Sequence, residues 1–243
     1  LALLLLLLWK DIAFLSGRQA LTASKQTRHG LLQLPAQGTE LVEKGLQLAV
    51  QKGLLPDAPK SQEATFVPAA GQPAATVAAQ ILSEIGDVPN GRCVILLQGE
   101  ESPEKAAIVK ELKQVLQAEV WSLDTFFRAM TFMLLTFSEQ SGSSMESVLQ
   151  RPEMLAAGIE MIEEMGEGQS IGAMAEQAEA MMGMSSDTEK LAENLPLSLE
   201  YGQGEVINFV KSSLEKLKGD AVVILDGQKG SLQYIDTPYR FQL

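Results

Sequence analysis

The sequence predicts an α/β fold: a mainly parallel sheet built from βα units, with an all-α, methionine-rich insertion and an apolar amino-terminal helix. Three observations lead there. Short apolar runs alternate with amphipathic helical patterns before and after the middle of the chain. A strand, a helix and a strand follow one another within about 35 residues from Gly91 to Asp124, and eight of the ten methionines fall between Met145 and Met184. A βαβ succession of that length favours a parallel sheet covered by helices.

At 243 residues with 46% hydrophobic and 21% charged side chains, the chain can bury one large core or two modest ones. Its formal charge of −12 disfavours nucleic acid as a partner, because phosphate neutralisation needs clustered Lys and Arg. The charge is uneven: residues 1–60 carry seven Lys or Arg against four acids, and residues 100–200 carry six against nineteen. Cys93 is the only cysteine and His29 the only histidine. No internal disulfide, multi-cysteine metal site or histidine triad is therefore expected within one chain, and no cofactor is assigned. Cys93 sits in the run Cys93-Val94-Ile95-Leu96-Leu97 and reads as a core thiol.

Residues 1–29 form the first segment. Leu1 to Leu8, extended by Trp9, make an apolar block that Lys10 and Asp11 interrupt before Ile12 to Leu15 resume it. A bilayer crossing needs about 20 predominantly apolar residues, so the block is too short to span. Lacking a basic leader, it is read as retained rather than cleaved. Arg18, Lys25, Arg28 and His29 follow with no acid until Glu40, a flank suited to anionic headgroups or to an acidic protein surface. Three readings stay open: a helix docked on a membrane or partner, a helix buried in the protein's own fold, and part of a longer membrane or targeting segment.

Residues 30–124 read as an α/β segment. Leu31-Leu32-Gln33-Leu34 is a strand pattern, and Thr39 to Lys52 has the apolar spacing of a helix closed by Gly53 and Pro56. Thr65-Phe66-Val67 leads into a helix over 74–85 that Gly86 ends. Cys93–Leu97 is the next strand, and Ser102 caps a helix that opens on Pro103 and turns Ile108, Leu112, Val115 and Leu116 to one face. Ala118 to Leu123 supplies a further strand.

Residues 125–194 read as a helical insertion. Phe126, Phe127, Phe132 and Phe137, with Met130, Met133, Leu134 and Leu135, predict a first helix buried on most sides, broken at Ser141-Gly142-Ser143-Ser144. Pro152 opens a second helix with Met154, Leu155, Ile159, Met161, Ile162 and Met165 opposite Glu160, Glu163, Glu164 and Glu167. Ser170 caps a third with Ile171, Met174, Ala178, Met181 and Met182 on its apolar side. Residues 195–243 complete the sheet, with a strand at Leu197–Tyr201, a helix over 205–218 and a strand at Ala221–Leu225. Asp226-Gly227 then reads as a turn into an antiparallel edge hairpin over 231–243.

Methionine stripes tolerate irregular partners, so they read either as packing against the Phe-rich helix or a neighbouring subunit, or as an exposed groove for an apolar segment. Arg151-Pro152-Glu153-Met154 and the helix after it resemble the short helical modules of co-chaperones, although no tandem copy follows. Phosphate cradles are poor: Gly202-Gln203-Gly204 is flanked by Glu200 and Glu205, and Gly99-Glu100-Glu101-Ser102 has one glycine and two acids. The acidic pairs read as solvated, and Asp124 with Arg128 is an i, i+4 pair.

The expected function is that of a non-catalytic accessory or scaffolding subunit, docked to a membrane-associated or multi-subunit assembly. Its partners are protein subunits and a membrane surface, and Leu4, Leu7, Trp9, Arg18, Arg28, Met154, Met161, Met165, Met174 and Met181 are the candidate interaction residues. Two other classes compete: a small-molecule or nucleotide-binding α/β enzyme with its site near Gly99–Ser102 and Gly202–Glu205, at the strands' carboxyl ends, and a chaperone-like holder of hydrophobic segments on the methionine-rich helices.

Overall fold

The computed structural model describes residues 38–59, 62–87, 92–165, 188–217 and 219–243. Along the chain run α1 (Gly38–Gln51), β1 (Thr65–Phe66), α2 (Ala74–Ile85), β2 (Cys93–Gln98), α3 (Pro103–Leu116), β3 (Glu119–Ser122) and α4 (Leu123–Ser141). They are followed by α5 (Met145–Leu149), α6 (Pro152–Met165), α7 (Thr188–Tyr201), α8 (Gln203–Lys216), β4 (Val222–Gly227), α9 (Lys229–Leu232) and β5 (Tyr239–Gln242). The amino-terminal helix, the strand at Leu31–Leu34 and the insertion helix from Ser170 fall outside the described residues.

The fold is α/β, and its sheet is parallel throughout the described residues, in the order β1-β5-β2-β4-β3. β2 and β4 are continuous apolar runs because both of their faces are covered, the pattern that parallel strands between helix layers require. Cys93, Ile95 and Leu97 of β2 turn to one face and join Ile81 and Ile85 of α2 and Ile108 and Leu112 of α3 in a buried core. Leu96, one residue out of phase, is equally buried on the other face, where α9 packs on β2 and α4 on β4. As the sequence indicates, Cys93 is a core thiol, and burial pushes its pKa up.

The local signals act as read for α1, α2 and α3. Ser102 accepts a hydrogen bond from the Lys105 amide at 3.1 Å with Pro103 in the first turn, and Gly86 ends α2 at φ 69°. Along α3 the buried partner of Ile108 and Leu112 is Val109, while Val115, expected on the apolar face, is 62% exposed.

Two expectations about the last third are corrected. Leu197–Tyr201 is not a strand but the end of α7: Leu191, Leu195 and Leu199 recur every four residues and are buried. α7 packs on α1 and α4 at very close range. A Cβ on Gly45 of α1 would fall onto the Leu199 carbonyl and within 2.9 Å of the Glu200 carbonyl, and one on Gly202 would meet Met130 of α4 at 2.6 Å. Gly202-Gln203-Gly204 is thus a helix–helix junction that needs small residues for packing.

The antiparallel edge hairpin is also absent. β5 is parallel, and it lies inside the sheet between β1 and β2. Asp226-Gly227, read as a hairpin turn, are the last residues of β4. Gly227 is there because a Cβ would approach the Leu123 side chain at 2.9 Å. From within β5, Arg240 donates to the carbonyls of Leu232 and Ile235 and to Gln62 Oε1, tying the α9–β5 connection down.

α4 organises the helices between β3 and β4. Twelve of its nineteen residues are buried, including Phe126, Phe127, Met130, Met133 and Leu134. It packs on α5, α6, α7 and β4, and Phe126 stacks on Phe209 of α8 with ring centroids 5.1 Å apart.

The α1–α7 contact gives a direct test. Gly45→Ala should cost about 1–3 kcal/mol or more, because the added methyl meets backbone that cannot yield. Gly158→Ala, whose methyl meets only the flexible Leu134 side chain at 3.2 Å, should cost less. Urea denaturation midpoints of the two variants at unchanged m check the order.

Candidate functional site

In doubly wound sheets ligands enter where neighbouring strands send their connections in opposite directions, at the carboxyl edge. Here that place is between β2 and β4. The connection from β2 runs over β4 to β3, and the connection from β4 runs over β2 to β5. The register sets Leu97 of β2 and Ser122 of β3 on either side of Asp226, so three strand ends meet at one level.

Five charged side chains from four pieces of chain converge there. Lys105, in the first turn of α3, places Nζ 2.5 Å from Asp226 Oδ1 and donates to the Gly99 carbonyl at 2.8 Å. Arg128 of α4 pairs with Glu101 of the β2–α3 loop at 3.3 Å and also reaches Thr125 Oγ1. Asp124 lies one turn before Arg128 and is 7% exposed. Arg128, read from the sequence as the i, i+4 partner of Asp124, pairs with Glu101 and so ties α4 to the loop.

Burial is the main cause that pushes the Asp124 carboxyl up to about 7; the negative charges of Asp226 and Glu101 add to it, and Lys105 and Arg128 oppose it. Burial also raises Asp226, against the pull of Lys105. The folded protein holds the Asp124 proton more tightly than the unfolded chain, where an aspartate titrates near 3.9. Asp124 therefore makes stability fall as pH rises between about 4 and about 7, and leaves it level above that window.

The loop can be tested against the phosphate-binding pattern G-x-x-x-x-G-K-[ST]. Gly99 and Lys105 stand at the spacing of its first glycine and its lysine. Glu104 occupies the place of the second glycine and Ala106 that of the hydroxyl residue, while Pro103 removes a backbone N–H. Glu100, Glu101 and Glu104 oppose a phosphate, and the Lys105 ammonium is already held by Asp226. The residues do not fit a tightly bound triphosphate.

The sequence reading named the loop Gly99–Ser102 but missed Lys105 and Asp226. The available signal was positional: a Lys in the first turn of the helix after one apolar strand, and an Asp at the end of another, converge if those strands are neighbours. Glu205, the other loop candidate, sits at the start of α8, where burial pushes its carboxyl up against the nearby Lys52 charge. Away from the charged cluster, a cleft of about 440 Å³ lies against α1 and Tyr234, lined by Leu46, Val50 and Gln233.

Of the interaction residues, Met154 and Met161 are half-buried on α6, whose Leu155 and Ile162 point inward. The Met165 side chain, Met174, Met181, Leu4, Leu7, Trp9, Arg18 and Arg28 lie outside the described residues. Among the described residues, Phe66 and Val115 are the large exposed hydrophobics, no helix is long and apolar enough to cross a membrane, and no cluster of three or more His, Cys, Asp or Glu could hold a metal ion. Comparison with protein-family models, curated proteins and solved structures returned no match.

Lys105→Met leaves Asp226 without its cation in a buried setting and should cost about 3–5 kcal/mol. Glu101→Gln breaks a pair whose carboxylate is 40% exposed and should cost about 1 kcal/mol or less. Chemical denaturation of both variants at pH 7 measures the difference.

Proposed function

We propose that this chain is a non-catalytic accessory subunit, in which the crevice a doubly wound sheet offers a ligand is closed by the protein's own ion pair. The observation that carries this reading is the seat of the Lys105 ammonium, 2.5 Å from Asp226 and 2.8 Å from the Gly99 carbonyl, beside the loop glutamates Glu100 and Glu101 and Glu104 of α3. A cation so engaged stabilises the ends of β2 and β4 and is lost to phosphate binding. The docking elements are the apolar residues 1–15, with Leu4, Leu7 and Trp9, and the basic flank containing Arg18 and Arg28; their partner is a protein assembly at a membrane surface.

Deleting residues 1–15 should release the protein from the membrane or high-mass fraction of a cell extract while its thermal melt stays cooperative. Unchanged fractionation would refute the docking role.

A second reading, a small-molecule or nucleotide-binding α/β enzyme, is favoured by one observation: Asp124, with a pKa of about 7, lies beside the Lys105–Asp226 pair at the switch point. A ligand at a hundredfold excess over its Kd stabilises the folded state by about 2.7 kcal/mol. Melts with magnesium nucleotides and nicotinamide cofactors should show no saturable rise in Tm; a rise that Lys105→Met abolishes would establish the enzyme reading instead.

A further inference from the structure

We propose that the charged cluster at the tips of β2 and β4 is a proton-operated latch. With Asp124 neutral, Lys105 stays on Asp226 and the Gly99–Ser102 loop is closed on α4 through Glu101 and Arg128. With Asp124 ionised, the loop and the first turn of α4 part.

The geometry sets up this competition. The charges acting on Asp124 are Asp226 from β4, Glu101 from the loop, Lys105 from α3 and Arg128 from its own helix. The helices α5, α6 and α7 also pack on α4, yet among the described residues they set no charge against Asp124. Three carboxylates thus share two cations. Lys105 is engaged by Asp226 and the Gly99 carbonyl, and Arg128 by Glu101. Asp124 is too buried for water to hydrate its anion, so its charge can be accommodated only by taking up a proton or by opening the cluster. The weakest link is Arg128 to Glu101, the longest and most exposed pair of the cluster, so the loop is the part that moves. Opening would admit water to Lys105 and Asp226. The inference rests on the cluster alone and holds whether the crevice serves docking or a ligand.

The chain has two tryptophans and one histidine. In full-length protein carrying Trp9→Phe and His29→Gln, Trp121, three residues before Asp124, is the sole indole and no imidazole titrates. Between pH 5.5 and 8.5 its fluorescence should follow a reversible one-proton transition near pH 7. Amide exchange of 99–105 and 122–128, corrected for intrinsic rate, should rise several-fold across the same range. Asp124→Asn should hold both signals at their low-pH values, and Glu101→Gln, which cuts the tie from the loop to Arg128, should leave amide exchange of 99–105 at its high-pH level even at pH 5.5. A flat titration of the background protein, a transition that survives Asp124→Asn, or a 99–105 segment as protected at pH 5.5 in Glu101→Gln as in the background protein would each overturn the latch. If Asp124→Asn fails to fold, the protection of 99–105 in Glu101→Gln at pH 5.5 alone decides.

Discussion

Everything in this fold follows from the need to cover both faces of the β2–β4 pair. The two strands run parallel in six-residue register, and parallel strands cannot be joined by a tight turn, so each connection must cross over a neighbour. One connection carries α3 to β3 past β4, and the other carries α9 to β5 past β2. Because they leave in opposite directions, a crevice is left between the strand ends, and the charged residues immediately beyond the apolar runs are drawn into it.

The helices between β3 and β4 answer the same constraint. α4 starts directly at the carboxyl end of β3, where Ser122 caps it, and is buried on most sides because the sheet and α5–α8 surround it. Small residues set how closely these layers approach: Gly45, Gly202 and Gly204 each sit where a side chain would strike a neighbouring helix or loop. Starting α4 at that edge also places Asp124 and Arg128 beside Lys105 and Asp226. The packing of the helical region and the chemistry of the sheet edge are consequently one problem, solved at the first turn of one helix.

An ion pair in that position is a compromise. Lys105 and Asp226 lose hydration, and their mutual attraction offsets that loss only because the contact is short and the Gly99 carbonyl takes a further ammonium proton. Burial outweighs the pull of Lys105 and Arg128 on Asp124, and this explains why its affinity for a proton is so far above that of a solvated aspartate.

Periodicity and punctuation were enough to read α1 to α4, α6 and α8, the strands β1 to β4 and the βαβ unit at β2–β3, because Ser102, Pro103, Gly86 and the run from Cys93 act through neighbours a few residues away, whereas the short α5 was not read. They also made Cys93 a core thiol. The misreadings share one cause. Leu197-Ser198-Leu199 fits a strand period as well as a helix period, and only the α1 and α4 surfaces on either side select the helix. Asp226-Gly227 has the composition of a hairpin turn, and only the Leu123 side chain pressing on Gly227 shows why that glycine is there. The convergence of Lys105, Asp124, Asp226, Arg128 and Glu101 was hidden for the same reason. Local spacing determines which segments become helices and strands, whereas strand order, decided by burial over distances of more than a hundred residues, determines which of their ends meet.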